Sequence, residues 1–308
     1  MQRIIIDTDP GVDDAHAILL ALAHPDVSVE AITTANGNVS LEHTTANALK
    51  ILDVAQKDIP VYAGCAAPLI NRPEHVAFVH GHDGLGDCNL PASKRQVEKE
   101  HACNALVRLA NAAPGEISLV CIGPLTNLGV ALRLDPDLPA KFKKLMVMGG
   151  AHYSRGNTSN VSAEFNFFTD PEAAAMVLAA WPEVTILTWE TTLAQMLTRA
   201  DLDRIFSLGT AKSRFFEDTS RITRAYIQSV LHQDVLFAAD ALAMAVAVEP
   251  GIIRRSEKHA AYIELNGNYT RGQLCLDWMG IHKKPANAEI VLELDQARFN
   301  ELFINGLR

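Results

Sequence analysis

The sequence predicts a doubly wound α/β fold with a mostly parallel sheet, and three features carry that prediction. Short apolar, β-branched runs alternate with segments of helical period. The polar, glycine-containing stretches fall directly after those runs, where the loops of a parallel sheet belong. Finally, 308 residues with 48% apolar and 20% charged side chains supply a well-buried interior.

Taken in order, Arg3 to Thr8 is a buried-strand run and Val12 to Ala23 has apolar residues at helical spacing. Val27 to Thr34 repeats the strand pattern, Ser40 caps a helix reaching about Ala55, and Pro60 to Ala63 is a short third strand. The stretch from Ala66 to Ser93 is rich in Pro, Gly, His and Asn and lacks a period, which marks a long functional loop. Alternation resumes with a helix from Glu98 to Ala112, a strand at Ile117 to Cys121, a helix at Leu125 to Leu134 and a strand at Lys144 to Met148. After the Gly149-Gly150 turn come Phe165 to Thr169, a helix at Pro171 to Ala180 and a strand at Val184 to Thr188. Beyond Thr192 the pattern is helical through Ala247, and strands at Ala260 to Leu265 and Glu289 to Leu294 close the chain. With no internal repeat and no Ser/Gly linker, residues 1–308 read as one domain with a helical carboxy-terminal region packed on the α/β core.

A formal net charge of -9 argues against nucleic acid or an anionic membrane as the main partner and favours a small neutral or metal-bound ligand. The amino terminus enters a strand pattern at once, without a basic leader, and no apolar run reaches membrane-spanning length, so a cytoplasmic location is expected. Cys65, Cys88, Cys103, Cys121 and Cys275 form no CxxC pair and are odd in number, which indicates reduced thiols rather than a disulfide framework or a zinc site.

Ligands of an open parallel sheet bind at the carboxyl ends of its strands. The first such loop, Asp7-Thr8-Asp9-Pro10-Gly11-Val12-Asp13-Asp14, carries four carboxylates in eight positions. Helix capping accounts for one or two of them. Four crowded like charges repel, and a hard divalent cation with oxygen ligands relieves them. No phosphate-binding glycine motif is present. An aspartyl phosphatase also places Asp-x-Asp after its first strand, but Gly11 stands where that class has Thr or Val.

The string from Asp7 to Ala17, with Asn36-Gly37-Asn38 after the second strand, resembles the signature of the inosine-uridine-preferring nucleoside hydrolase family. The resemblance continues in family order through Val79-His80-Gly81, Asp83-Gly84-Leu85-Gly86, Gly123-Pro124-Leu125-Thr126-Asn127, Met148-Gly149-Gly150, Gly156-Asn157, Ala163-Glu164-Phe165-Asn166, Asp170-Pro171-Glu172-Ala173 and Asp240. It implies a Rossmann-like nucleoside hydrolase fold, a homo-oligomer (dimer or tetramer), and calcium-dependent hydrolysis of ribonucleosides to base and ribose. It also implies Ca2+ held by Asp9, Asp14, the main-chain carbonyl of Ile122 and Asp240, with Asp9 as general base. Ribose contacts are implied for Asp13, Asn38, Asn157, Glu164, Asn166 and Asp240. His80, Phe165, Tyr226, Gln228 and His232 are base-side candidates. The sequence departs from the family at Ala239, where purine-active members carry a histidine that helps protonate the leaving base, and at Trp189-Glu190, to which no role is given. The missing acid keeps a second reading open, a ribose- or nucleoside-binding protein that has lost catalysis.

Overall fold

The computed structural model describes all 308 residues. Ten strands are present: β1 (Gln2–Thr8), β2 (Val27–Thr34), β3 (Val61–Ala63), β4 (Ile117–Cys121), β5 (Lys144–Met148), β6 (Val184–Leu187), β7 (Ile253–His259), β8 (Ala261–Ile263), β9 (Leu274–Leu276) and β10 (Ala288–Leu294). Between them run α1 (Val12–Ala23), α2 (Leu41–Ala55), α3 (Ala77–His80), α4 (Ala102–Ala112), α5 (Thr126–Leu134), α6 (Leu138–Lys141), α7 (Phe165–Thr169), α8 (Pro171–Ala180), α9 (Trp189–Ala194), α10 (Arg199–Phe206), α11 (Ala211–Thr219), α12 (Arg221–Leu231) and α13 (Ala239–Val248), with α14 (Gln296–Gly306) last. Eight strands form one sheet in the order β3-β2-β1-β4-β5-β6-β10-β7, parallel except for β7.

This is the doubly wound α/β architecture that the alternating pattern predicts. The chain winds outward from β1 through β2 to β3, returns, and winds the other way through β4, β5 and β6. Neighbouring strands β1 and β4 therefore send their following loops in opposite directions, which opens a crevice at their carboxyl ends. Asp7 pairs with Thr33 of β2 and Cys121 of β4, so it stands at that switch point.

β1 is buried on both faces, which explains its uninterrupted isoleucines. Ile4 and Ile6 join a core layer with α1, α13 and α14, and Ile5 joins the opposite layer with α4, α5 and α8. α13 is rich in alanine, and these small residues let it pack closely on α1. That packing carries Asp240, in the first turn of α13, toward Asp13 and Asp14 in the first turn of α1.

Two expected elements differ in place. The closing strand predicted over Ala260 to Leu265 is shorter: Ala261–Ile263 pairs with Leu274–Leu276 in a separate two-stranded hairpin, and the main sheet is closed by β7 instead. β7 is an antiparallel edge strand carrying Arg254, Arg255 and Lys258, so it lacks the apolar run that reveals a buried strand. The helix expected from Glu98 begins at Ala102, because Glu98 donates its N–H to the Val61 carbonyl at 2.9 Å and extends the edge of β3. No helix is long and apolar enough to cross a membrane.

Candidate active site

The loop after β1 is shaped by its own carboxylates. Asp14 closes the turn: its Oδ1 accepts from the Thr8 hydroxyl at 2.5 Å, and its Oδ2 accepts from Gly11 N–H at 2.9 Å and the Asn38 side-chain amide at 3.0 Å. Asp9 Oδ2 accepts from Asn38 N–H at 2.7 Å. Its Oδ1 is buried with no hydrogen-bond partner, as is Oδ1 of Asp13. Gly37 and Gly123 flank the Asp9 side chain so closely that a Cβ at either would lie 1.9 Å or 2.5 Å from a carboxylate oxygen. Behind this loop Asp7 Oδ1 accepts from Thr33 Oγ1 at 2.5 Å and from Asn127 Nδ2 at 2.8 Å, tying β1 to β2 and α5.

Carboxylate oxygens of Asp13, Asp14 and Asp240 lie within 4.8 Å of one another, and Asp9 is close enough to repel them. Burial first, then the neighbouring carboxylates, pushes Asp9 and Asp240 well above the ordinary carboxylate range. Burial likewise raises Asp13 to about 6, and burial with Asp13 raises Asp14 to about 6. A buried all-oxygen donor set with two orphaned carboxylate oxygens fits a hard divalent cation, whose charge removes the repulsion.

Side chains from several further segments converge beside the cluster. They line a cavity of about 350 Å³ whose polar lining includes Asp13, Asn38, Asn157, Glu164, Asn166 and Asp240, beside Ile122. The Asn166 amide donates to the carbonyls of Ile122 at 3.1 Å and Met148 at 3.2 Å. Glu164 caps α7: its oxygens accept from Gly150 N–H at 2.8 Å, Asn166 N–H at 2.9 Å and Phe167 N–H. Burial dominates these bonds and raises the Glu164 carboxyl to about 7. His80 Nδ1 accepts from Val12 N–H at 3.1 Å and lies 3.8 Å from Asp13, and burial lowers its pKa to about 4, so the ring is neutral.

Much of the remaining lining is apolar and aromatic, with Phe78 against Tyr226 at 5.2 Å and Trp189 against Phe237 at 5.0 Å between ring centroids. Phe165 lines the cavity, as does Ala239, so no proton donor stands at position 239. Of the predicted base-side residues, His80, Phe165 and Tyr226 reach the cavity, but Gln228 and His232 do not. Both are exposed. α12 turns Thr223, Tyr226, Ile227 and Val230 toward the cavity at helical spacing, which rotates Gln228 to the outer face, and His232 is the left-handed C-cap beyond the helix end.

Three features escaped the sequence reading. His16 also lines the cavity; its ring packs 4.4 Å from Phe216, neither nitrogen has a partner, and burial lowers its pKa to about 3. In the sequence it sits among the apolar positions of α1 and carries no distinguishing signal. Trp189 forms part of the aromatic wall. Its neighbour Glu190 accepts N–H bonds from His152 (2.8 Å), Tyr153 (2.8 Å) and Arg155 (3.1 Å), and lies 3.1 Å from His152 Nδ1. Burial raises the Glu190 carboxyl, but these donors outweigh it and hold the group below its ordinary value. Glu190 thereby fastens the loop that presents Asn157.

The family model described as inosine-uridine preferring nucleoside hydrolase matches residues 4–301. The chain is 33% identical to the inosine-uridine preferring nucleoside hydrolase of Crithidia fasciculata, covering 99% of this chain and 97% of the relative. It is 34% identical to the non-specific ribonucleoside hydrolase of Escherichia fergusonii, over 97% of this chain and 95% of that one. Among solved structures, an inosine-guanosine nucleoside hydrolase superposes with a TM-score of 0.92 at 33% identity, over 99% of this chain and 98% of the other. A plant nucleoside hydrolase does so with a TM-score of 0.92 at 31% identity and the same coverage. With the acidic cluster at the switch point and matches spanning nearly the whole chain, the protein belongs to the inosine-uridine preferring nucleoside hydrolase family.

Proposed function

We propose that the chain is a calcium-dependent ribonucleoside hydrolase, a single catalytic unit over residues 1–308, that splits the N-glycosidic bond to free base and ribose. The observation that carries this reading is the buried carboxylate cluster, with its orphaned Asp9 and Asp13 oxygens, whose Asp13 and Asp240 open into a cavity also lined by aromatic side chains. A ribonucleoside has the same polarity, a polyhydroxyl sugar joined to a flat apolar-faced base.

Asp9, Asp14, Asp240 and the Ile122 carbonyl would hold the calcium. When bound, calcium supplies a Lewis-acidic centre that acidifies water and orients a sugar diol. Asp13, Asn38, Asn157, Glu164, Asn166 and Asp240 pair the ribose hydroxyls, where an unpaired buried hydroxyl is penalised. Asp9 is the general base: Asn38 N–H holds Oδ2 and leaves Oδ1 free to take a proton from the attacking water. The water oxygen bonds to the anomeric carbon as the bond to the base nitrogen breaks, and its electron pair leaves with the base. Positive charge growing on the sugar is stabilised by the surrounding carboxylates.

The leaving base must also gain a proton, and Ala239 cannot supply it. Tyr226 lines the cavity and is an available donor, while His80, held neutral with Nδ1 accepting from Val12 N–H, can offer the base the hydrogen bond of its Nε2–H. The same gap favours the second reading, a nucleoside-binding protein without turnover. A cytoplasmic location, and the homo-oligomer that the resemblance implies, complete the proposal. Its test is ribose release from inosine, uridine and a riboside with an activated phenolic leaving group, before and after chelation. Hydrolysis that stops on chelation and returns with calcium supports the proposal, with the activated riboside outpacing inosine. Calcium-loaded protein that binds these compounds but releases no ribose supports the binding reading.

A further inference from the structure

We propose that Cys65, His101 and Cys103 form a second metal site, distinct from the acidic cluster, for a thiophilic divalent cation such as zinc. The sequence hides it, because His101-x-Cys103 opens α4 while Cys65 follows the edge strand β3, 38 positions away from Cys103. The fold brings all three together: each offers a ligand atom within 4.8 Å of the others.

The spacing of the sulfurs excludes a disulfide and accommodates a shared metal ion. Cys65 Sγ and Cys103 Sγ are 3.8 Å apart. A disulfide requires about 2.05 Å. Two thiolates bound to a tetrahedral zinc, each at about 2.3 Å, lie about 3.8 Å apart. The pair is therefore compatible with the edge length of a zinc tetrahedron, with the His101 ring as third ligand once its Nδ1 releases the 3.3 Å bond from Cys103 N–H that caps α4, and a fourth position for water or for Asn127, whose Oδ1 lies 3.9 Å from Cys103 Sγ. That same Asn127 oxygen accepts from Cys65 N–H at 2.8 Å, so the backbone carrying the first ligand is fixed from behind, as outer-shell partners of metal ligands commonly are.

The surroundings suit a cation. Asp7 and Asp170 both bear electrostatically on Cys65. Cys103 is buried, Cys65 is half-buried and His101 is exposed, so the ion has an entry path from solvent along the His101 side.

The test uses the whole reduced protein, saturated with calcium to occupy the acidic cluster, and titrates it with cobalt(II) as a spectroscopic stand-in for zinc. A thiolate-to-cobalt charge-transfer band that grows to one equivalent and is erased by zinc is the expected result. Cys65→Ser removes the band, and His101→Ala, at an exposed position where only one cap bond of α4 is lost, weakens cobalt binding at least about tenfold. Absence of the band at saturating cobalt would overturn the proposal. So would its persistence in Cys65→Ser, or recovery of Cys65 and Cys103 as a disulfide from protein isolated anaerobically.

Discussion

Gly37→Ala is the substitution that tests the Asp9 assignment without touching Asp9. Gly37 is not in the left-handed backbone region, so alanine is conformationally acceptable there, and the glycine is needed only for space. The added Cβ would stand 1.9 Å from Asp9 Oδ2 and 2.6 Å from its Cγ. Ordinary contact starts at 3.4 Å, so the carboxylate must retreat by about 1.5 Å. The retreat also breaks the 2.7 Å bond from Asn38 N–H that leaves Oδ1 free. Misplacing a catalytic group by about 1 Å can cost about 10² in rate, whereas overpacking of this size costs about 1–3 kcal/mol of stability. Gly37→Ala should therefore lower kcat for an activated riboside by about 10² or more, while Tm falls by only a few degrees. Gly251→Ala, where a Cβ meets nothing within 4 Å, is the control and should match the unmodified protein. A Gly37→Ala enzyme with kcat within about twofold of the unmodified value would refute Asp9 as the base.

Asp9→Asn should keep the fold and much of the sugar affinity while losing about 10² in turnover, and near-normal turnover would contradict its role. Asp240→Ala should first weaken calcium binding, read by calorimetry. Ala239→His should raise inosine turnover more than that of the activated riboside, because a positioned acid contributes about 10² to 10⁴ where the leaving group needs a proton; equal gains on both substrates would place the ring away from the base. Glu190→Gln turns an amide N–H₂ toward donors that now meet a carboxylate, which loosens the Asn157 loop and should raise KM for ribosides more than it lowers kcat, with partial recovery in Glu190→Asp. Chelated protein should become more stable as pH falls from 8 to 5, by thermal melts. Asp7, Asp13 and Asp14 (about 6) and Glu164 (about 7) titrate above their unfolded values, so their contribution is present at low pH and is lost as pH rises through 6 to 7. His16 and His80 oppose this below pH 6.5 but are fewer, and calcium should flatten the profile.

The parallel core was legible because its strands are buried on both faces and must be apolar throughout, as Ile4, Ile5 and Ile6 are. β7 was not, because an exposed antiparallel edge tolerates Arg254, Arg255 and Lys258. In the site, the acidic loop could be picked out from charge crowding and position alone, whereas Asn38, Asn157 and Asn166 came only with the family resemblance. His16 could not, since one buried imidazole at a helical core position looks like packing. Nor could the outward rotation of Gln228 and His232, which depends on where α12 meets α3 rather than on residue type. Glu190 acts through loop amides 35 to 38 positions away, a relation fixed only when β5 and β6 align side by side.

The central claim is that water, activated beside Asp9, displaces the base at the anomeric carbon of a ribonucleoside. Turnover of uridine or inosine in ¹⁸O-labelled water, with calcium present and phosphate absent, tests it most directly. Free ribose carrying one ¹⁸O at the anomeric position and an unlabelled base are expected, with no product after chelation. Label in the base, or no ribose from any nucleoside by the calcium-loaded protein, would contradict it.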